Sequence, residues 1–367
     1  MCDNLRANVH GISHMIVLFG ATGVTGKLVA RELMNLNVPV RLAGRDEKAL
    51  KSVAGKSGFQ IKTFDLQEPE SIKAALDGAS VAINCVGPFT KYGLPIAKAV
   101  VKAGVHYLDT TGEQAFISQI FEELGERARK EKICLVPACA FEYAISDTLA
   151  GFAELANPHV DSIEVVYRVK GAATSVGTRR SFLKQMEYPW FRLSSGQLKE
   201  INFIPFCRDN LSSREAPRML IEFPGGEAVL FPLHLRVRSV RSFMQLPRKF
   251  PKVTFSFPTA LVRAAFLFPL SGALMATAAT KEGAPSDEEL NKTSASVTCT
   301  ARGLKGSAVC SANAHNPYLV TAVIISQIAT KLLKGGAGIS GPCSPSMVEG
   351  PEFIREVTKN RGVEWIL

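Results

Sequence analysis

Met15-Ile16-Val17-Leu18-Phe19-Gly20-Ala21-Thr22-Gly23-Val24-Thr25-Gly26 is the stretch on which the reading of this chain turns. Five apolar residues in a row, without polar alternation, suit a strand buried on both faces, and such strands belong to parallel sheets covered by helices. The glycines that follow keep the spacing Gly-x-x-Gly-x-x-Gly and open a helical pattern that runs to residue 36. Gly20 permits a sharp turn, Gly23 lets the main chain approach a pyrophosphate, and Gly26 lets the helix sit tightly on the strand. Unpaired N–H groups at the helix start add a partial positive charge aimed at phosphate. The loop Gly20, Ala21, Thr22, Gly23, Val24, Thr25 and Gly26 is therefore the expected cradle of a dinucleotide.

The same alternation continues. Apolar runs at 38–44, 59–66, 80–87, 105–111 and 133–139 are separated by helical patterns at 46–54, 68–76, 94–103 and 114–130. Strands joined by crossover helices predict a doubly covered parallel sheet. The second run ends Leu42-Ala43-Gly44-Arg45-Asp46, about twenty residues beyond the loop, where an acidic side chain would hold the ribose 2′-hydroxyl of NAD. Gly44 cannot do so, and Arg45 is placed to pair with a 2′-phosphate, which favours NADP (NADPH). Asp65 and Leu66, after the third run, are expected to edge the adenine. Cys85, Val86, Gly87 and Pro88, after the fourth, face the cofactor cleft at the carboxyl end of the sheet.

After about residue 145 the pattern changes. Residues 162–169, 226–237 and 252–257 read as strands with longer connections, 295–303 with 305–313 as a late hairpin, and 318–333 as a helix stopped by Gly335-Gly336. The expected fold is α/β. A Rossmann NADP-binding domain spans 1–145, an α+β substrate and dimerisation domain 146–312, and a segment 313–367 packs its helix back on the first domain.

Composition narrows the class. A chain of 367 residues, 46% hydrophobic, can bury a core without metals or disulfides. Its eight cysteines include no Cys-x-x-Cys, its six histidines no metal spacing, and no apolar leader precedes the first strand. Free thiols, no metal and a cytoplasmic location follow. The net charge of +10 is spread along the chain, which argues against nucleic acid and suits a phosphorylated cofactor or an anionic substrate. The uncharged run 264–280 is interrupted by Pro269 and Gly272 and falls short of the roughly 20 apolar residues that a spanning helix needs. Residues 255–275 are expected to wall or cover an apolar substrate site. A peripheral membrane or lipid-surface contact is the alternative, and a homodimer stays open.

Read with Gly87-Pro88-Phe89-x-x-Tyr92-Gly93 and Gly104-x-His106-Tyr107-x-Asp109-x-x-Gly112-Glu113, the first 150 residues resemble the saccharopine dehydrogenase-like oxidoreductases, more narrowly the branch of the trans-acting enoyl reductases. The resemblance resumes at Ser175-Val176-Gly177-Thr178, at Asn316-Pro317-Tyr318 and at Gly341-Pro342-Cys343-Ser344-Pro345. Where that family usually carries Gly-Phe-Asp-Ser-(Ile/Val)-Pro-(Ala/Ser)-Asp, this chain has Ala140-Phe141-Glu142-Tyr143-Ala144-Ile145-Ser146-Asp147.

The resemblance implies an NADP-dependent oxidoreductase, with hydride chemistry on the cofactor and a proton managed by the protein. Tyr92, beyond the Gly87-Pro88 turn, either supplies a proton or packs against the loop. Glu113 either caps the helix it precedes or reaches the cleft. Phe141, Glu142 and Tyr143, at the handover between domains, and Thr178 and Arg179, after Gly177, are the expected substrate contacts; Arg180 is a further cation. Three functions stay open: reduction of a hydrophobic enoyl-type C=C bond, reduction of an imine in the manner of saccharopine reductase, and non-catalytic NADPH or lipid-surface binding.

Overall fold

A computed structural model describes residues 14–171, 174–208, 218–246, 255–267, 283–335 and 338–367. Its first layer begins with the strand read above, β1 (Met15–Phe19), followed by α1 (Val24–Asn35), β2 (Val40–Gly44), α2 (Glu47–Ala54), β3 (Gln60–Thr63) and α3 (Pro69–Ala75). The chain continues through β4 (Ala79–Asn84), α4 (Phe89–Lys102), β5 (His106–Asp109), α5 (Gln114–Lys130) and β6 (Cys134–Val136). All these strands pair in parallel. The unbroken apolar run of β1 is explained by its two covers: Ile16 and Leu18 enter one core with α1, while Val17 and Phe19 enter the other with α3, α4 and α5. Each face shields one half of the same five residues, so alternation in the sequence would have left a polar group in a core.

Helix α6 (Phe141–Ala156) then carries the chain into a second, mixed sheet. A domain boundary drawn at 145 falls inside this helix, because its buried residues from Phe141 to Ala153 make one continuous packed face. The second sheet contains β7 (Val160–Lys170), β8 (Phe191–Ser194), β9 (Gln197–Glu200), β10 (Phe203–Arg208), β11 (Met219–Phe223), β12 (Ser239–Gln245), β13 (Phe255–Pro258), β14 (Ser294–Gly303) and β15 (Gly306–His315). Among them lie α7 (Val176–Gln185), α8 (Glu227–Leu230), α9 (Thr259–Leu267) and α10 (Asp287–Lys292). The hairpin of β14 and β15 forms as expected, in register from Ser294↔His315 to Gly303↔Gly306.

The expected strand at 226–237 does not form. Residues 227–230 are helical and Phe231–Leu233 make a 3-10 turn. Pro232 has no N–H for a ladder, and the carboxylate of Glu227 is drawn inward by Tyr167 and Ser242. Of the apolar stretch 255–275, only β13 and α9 lie within the described residues, with Phe257 and Leu261 exposed. The part from 268 to 282 lies outside them.

The last helices close the molecule. α11 (Pro317–Leu333) packs on α1, β1, β4 and β5, with Ile324, Ile325 and Ile328 fully buried. Each such side chain stabilises the fold by about 1.5 to 3 kcal/mol. Then β16 (Gly341–Pro342) pairs with β6, α12 (Pro351–Thr358) packs on α6 and α11, and β17 (Val363–Ile366) pairs with β15. The first sheet therefore has the order β16-β6-β5-β4-β1-β2-β3, and residues 341–366 add an edge strand to each sheet. The order reverses between β1 and β4, which opens a crevice at their carboxyl ends. Among the described residues, no helix is long and apolar enough to cross a membrane, and no cluster of three or more metal-ligating side chains occurs.

Candidate functional site

The crevice begins at Gly20. Its φ of +78° lies in the left-handed region, and a Cβ there would stand 2.9 Å from the main-chain carbonyl of Cys85, so the ends of β1 and β4 meet without room for a side chain. At Gly26 a Cβ would come 2.2 Å from the carbonyl oxygen of Gly20, so α1 can lie on the loop only with glycine. Gly23 is different. Its φ of −72° and ψ of 170° suit any residue, and a Cβ would meet only the Gly20 carbonyl oxygen, at 3.5 Å. What a side chain at 23 would occupy is the open space over the first turn of α1. That turn has no side-chain cap and no acidic residue, so its N–H groups point into the crevice unclaimed.

Thr22, Val24 and Thr25 rim this turn half-buried, and Ala21 is buried beneath it. Arg45 is exposed at the carboxyl end of β2. Its neighbour Asp46 caps α2 through the Ala49 amide at 3.0 Å. Asp65 is exposed and accepts from the Gln67 amide, which fixes the turn holding Leu66 after β3. Cys85, Val86 and Gly87 line the end of β4, and Pro88 follows across a cis peptide bond. The Cys85 thiol is pushed up to about 12, chiefly by burial and further by nearby Asp109, and so stays protonated.

Helices α6 and α7 cover this edge beside Gly87 and Gly112. α7 brings Ser181 Oγ to 3.4 Å from where a Gly87 Cβ would stand, and Gln185 donates to the Gly112 carbonyl at 2.7 Å. The start of α6 supplies Tyr143, whose hydroxyl donates to the same carbonyl at 3.1 Å, and Glu142, whose Oε1 lies 3.2 Å from a Cβ built on Gly112. Gln114 holds the halves together, donating to the carbonyls of Phe191 and Gly225 and accepting from the Phe191 amide. The sequence carried no sign of Ser181, Gln185, Tyr167 or Glu227 in this region, because they stand 80 to 140 residues after Gly87.

Several expected site residues are placed differently. Glu113 caps α4 rather than the helix it precedes: fully buried, its carboxylate accepts from the amides of Phe89 (2.7 Å) and Thr90 (2.8 Å) and from the Thr90 hydroxyl (2.6 Å). Tyr92 stands half-buried in the first turn of α4, with the Lys91 ammonium 5.0 Å from its ring centre. Phe141 is 4% exposed and packed in the core, with its amide bound to Thr321, so its ring faces no cleft. Thr178 and Arg179 lie inside α7 rather than after a turn, since Ser175 caps that helix at the Thr178 amide. Arg179 is folded back on the Thr174 carbonyl.

Burial raises two carboxyls at the same edge to about 7. Asp109 is sealed beneath Thr111 and Ala138, whose amides it accepts, and Glu142 is raised by burial and then by the charge of Glu227. Each binds its proton more tightly folded than unfolded. Their stabilisation is therefore complete below the ordinary carboxyl range and is lost as pH rises towards 7. The melting temperature of Asp109→Asn relative to the native chain is expected to climb from pH 5 to 7 and level off above. A flat difference across that interval would contradict the assignment.

A glycine turn between a buried strand and an uncapped helix, at a topological switch point, defines a dinucleotide-binding oxidoreductase fold. Residues 16–154 match the family model of the saccharopine dehydrogenase NADP binding domain. The trans-acting enoyl reductase of Mycobacterium ulcerans is 34% identical over 139 residues, which cover 36% of this chain and 33% of that protein. The trans-acting enoyl reductase of Mycobacterium tuberculosis is 35% identical over the same shares. The chain thus spans about a third of the length of these curated relatives. Over the whole chain the fold is that of saccharopine dehydrogenase (L-Glu forming) from Saccharomyces cerevisiae, with TM-score 0.59 and 11% identity, covering 96% of this chain and all of that one.

Proposed function

We propose that the chain is an NADPH-dependent reductase acting on a hydrophobic, enoyl-type C=C bond. The observation that carries this reading is the uncapped start of α1, with open space over Gly23 and Arg45 exposed at the end of β2. A diphosphate would fit there, its charge met by the N–H groups of Val24 and Thr25 in the first turn of α1. Arg45 would hold the 2′-phosphate, Asp65 and Leu66 would edge the adenine, and Cys85 to Pro88 would flank the nicotinamide. When bound, NADPH supplies the hydride.

The enoyl assignment draws on the names of the mycobacterial relatives and on the apolar side chains that the second unit exposes at Phe257 and Leu261. An imine reductase acting on dicarboxylates would want paired cations at the site, and Arg179 is occupied by its own loop. NADPH oxidation followed at 340 nm with trans-2-decenoyl thioesters, cyclic imines and ketones tests the reading. Turnover of imines alone would overturn the substrate class, and turnover of none would leave a binding protein.

NADPH is expected to bind at least about tenfold more tightly than NADH. This is the low end for a charged hydrogen bond, since Arg45 is exposed and water competes for it. Arg45→Ala should remove most of the preference. Equal affinities in the native protein, by fluorescence titration, would refute the role of Arg45.

A further inference from the structure

We propose that Glu142 is the group that delivers the proton in this reduction, held in place by Tyr167 and Glu227. The inference rests on the reductase reading above and extends it to a residue.

Three observations converge on Glu142. It is the second residue of α6, which starts four residues after β6 ends, so it stands at the carboxyl edge of the first sheet on the side where β4, β5 and β6 end. Its carboxyl lies against Gly112, in the loop leaving β5, and the residue keeps part of its surface exposed where Asp109 has none. No ion pair neutralises it among the described residues. The groups nearest it are another acid, Glu227 of α8, and the phenol Tyr143 of its own helix, while Tyr167 of β7 holds its main-chain carbonyl and Gln185 of α7 holds the Gly112 carbonyl beside it. A carboxyl enclosed beside a second carboxyl, without a cation, keeps its proton into the neutral range.

The supporting shell is specific. The single hydroxyl of Tyr167 contacts both the Glu142 carbonyl, at 3.1 Å, and Glu227 Oε1 in a short hydrogen bond. One hydroxyl proton satisfies both contacts while Glu227 is protonated, donating to Tyr167 as Tyr167 donates to the carbonyl; once Glu227 ionises, its charge holds the proton on Glu142 instead. Burial raises Glu227 in the direction this requires. Ser242 holds the other oxygen of Glu227 at 2.9 Å. Tyr167 and Glu227 thus position the first turn of α6, and Glu142 carries the mobile proton.

The other carboxyls at this edge, and the Tyr143 phenol, are occupied or sealed. Glu113 caps α4, Asp109 is fully buried with one oxygen fixed by two amides, and Tyr143 is bonded to Gly112. In the step, the β-carbon of the enoyl group gains hydride from the nicotinamide and the α-carbon gains the proton of Glu142. The C=C π bond is reduced, the nicotinamide is oxidised, and the Glu142 carboxylate is re-protonated from water.

The first test is independent of substrate. Infrared titration of the NADPH-loaded protein should show a carboxyl ionising near pH 7 that is missing in Glu142→Gln. Replacing NADPH by NADP⁺, whose nicotinamide ring is positively charged, should lower that midpoint by about half a pH unit or more if the carboxyl lies beside the ring. In the second test, Glu142→Gln should lower kcat for trans-2-decenoyl thioesters about a hundredfold or more. KM and NADPH affinity should change little, and Glu142→Asp should recover part of kcat and shift its pH profile. A midpoint that ignores the cofactor's redox state, or a Glu142→Gln variant within threefold of native kcat, overturns the proposal. Should the native protein reduce no thioester, the substrate reading fails by itself, and the cofactor-dependent titration still decides the place of Glu142.

Discussion

Gly23→Val is expected to weaken NADPH binding by about a hundredfold or more while leaving the melting temperature within about two degrees of native. The backbone at 23 suits valine, and its Cβ meets one oxygen at an ordinary 3.5 Å, so the folded protein has no reason to resist the change. The two methyl groups instead fill the space over the uncapped turn, where a diphosphate must lie to reach the N–H groups. Gly26→Ala is the counterpart. Its single methyl would stand 2.2 Å from the Gly20 carbonyl oxygen, so it should depress the melting temperature by several degrees and lose affinity only as a consequence. Fluorescence titration together with thermal melts separates the two. Native-like NADPH affinity in Gly23→Val would remove the loop from the cofactor site.

The second large effect is on stability. Glu113→Ala should lower the free energy of unfolding by about 3 to 5 kcal/mol, more than the 0.5 to 2 kcal/mol usual for a helix cap. Three charge-assisted bonds disappear together, and the amides of Phe89 and Thr90 are left without their acceptor. Glu113→Gln keeps one acceptor oxygen and should fall in between. Urea unfolding gives the measurement. An alanine variant of native stability that has lost turnover would return Glu113 to the catalytic machinery.

Legibility from the sequence followed the range of the forces involved. Strand β1, the glycine turn and α5 were readable because their signals are local: an apolar run, a required close approach, a helical period from Gln114 to Lys130. The turn at 227–233 was misread as strand because Ala228-Val229-Leu230-Phe231 is apolar enough for either state. The arbiter was Glu227, pulled inward by Tyr167, 60 residues earlier. Glu113 shows the same limit, since the amides it serves are 24 and 23 residues upstream. Sequence spacing near a strand end identifies a carboxylate in the right region, and only tertiary placement says which helix receives it. The half of the site made by α6 and α7 rests on such distant contacts, whereas the cofactor half is built from consecutive residues.

Strands β16 and β17 have a bearing on how the protein is made. Until residue 342 leaves the ribosome, β6 is an open parallel edge, and until residue 366 does, β15 is another. Neither sheet can close during synthesis of the first 300 residues, and α11, which shields Ile16 and Leu18, also arrives late. A chain cut after Ala156 would keep every residue of the glycine turn and still present an unpaired strand edge and an uncovered apolar face, a template for aggregation. The cofactor-binding motif is contiguous, yet its sheet takes an edge strand and a covering helix from the tail, so its apolar surface stays open for most of translation.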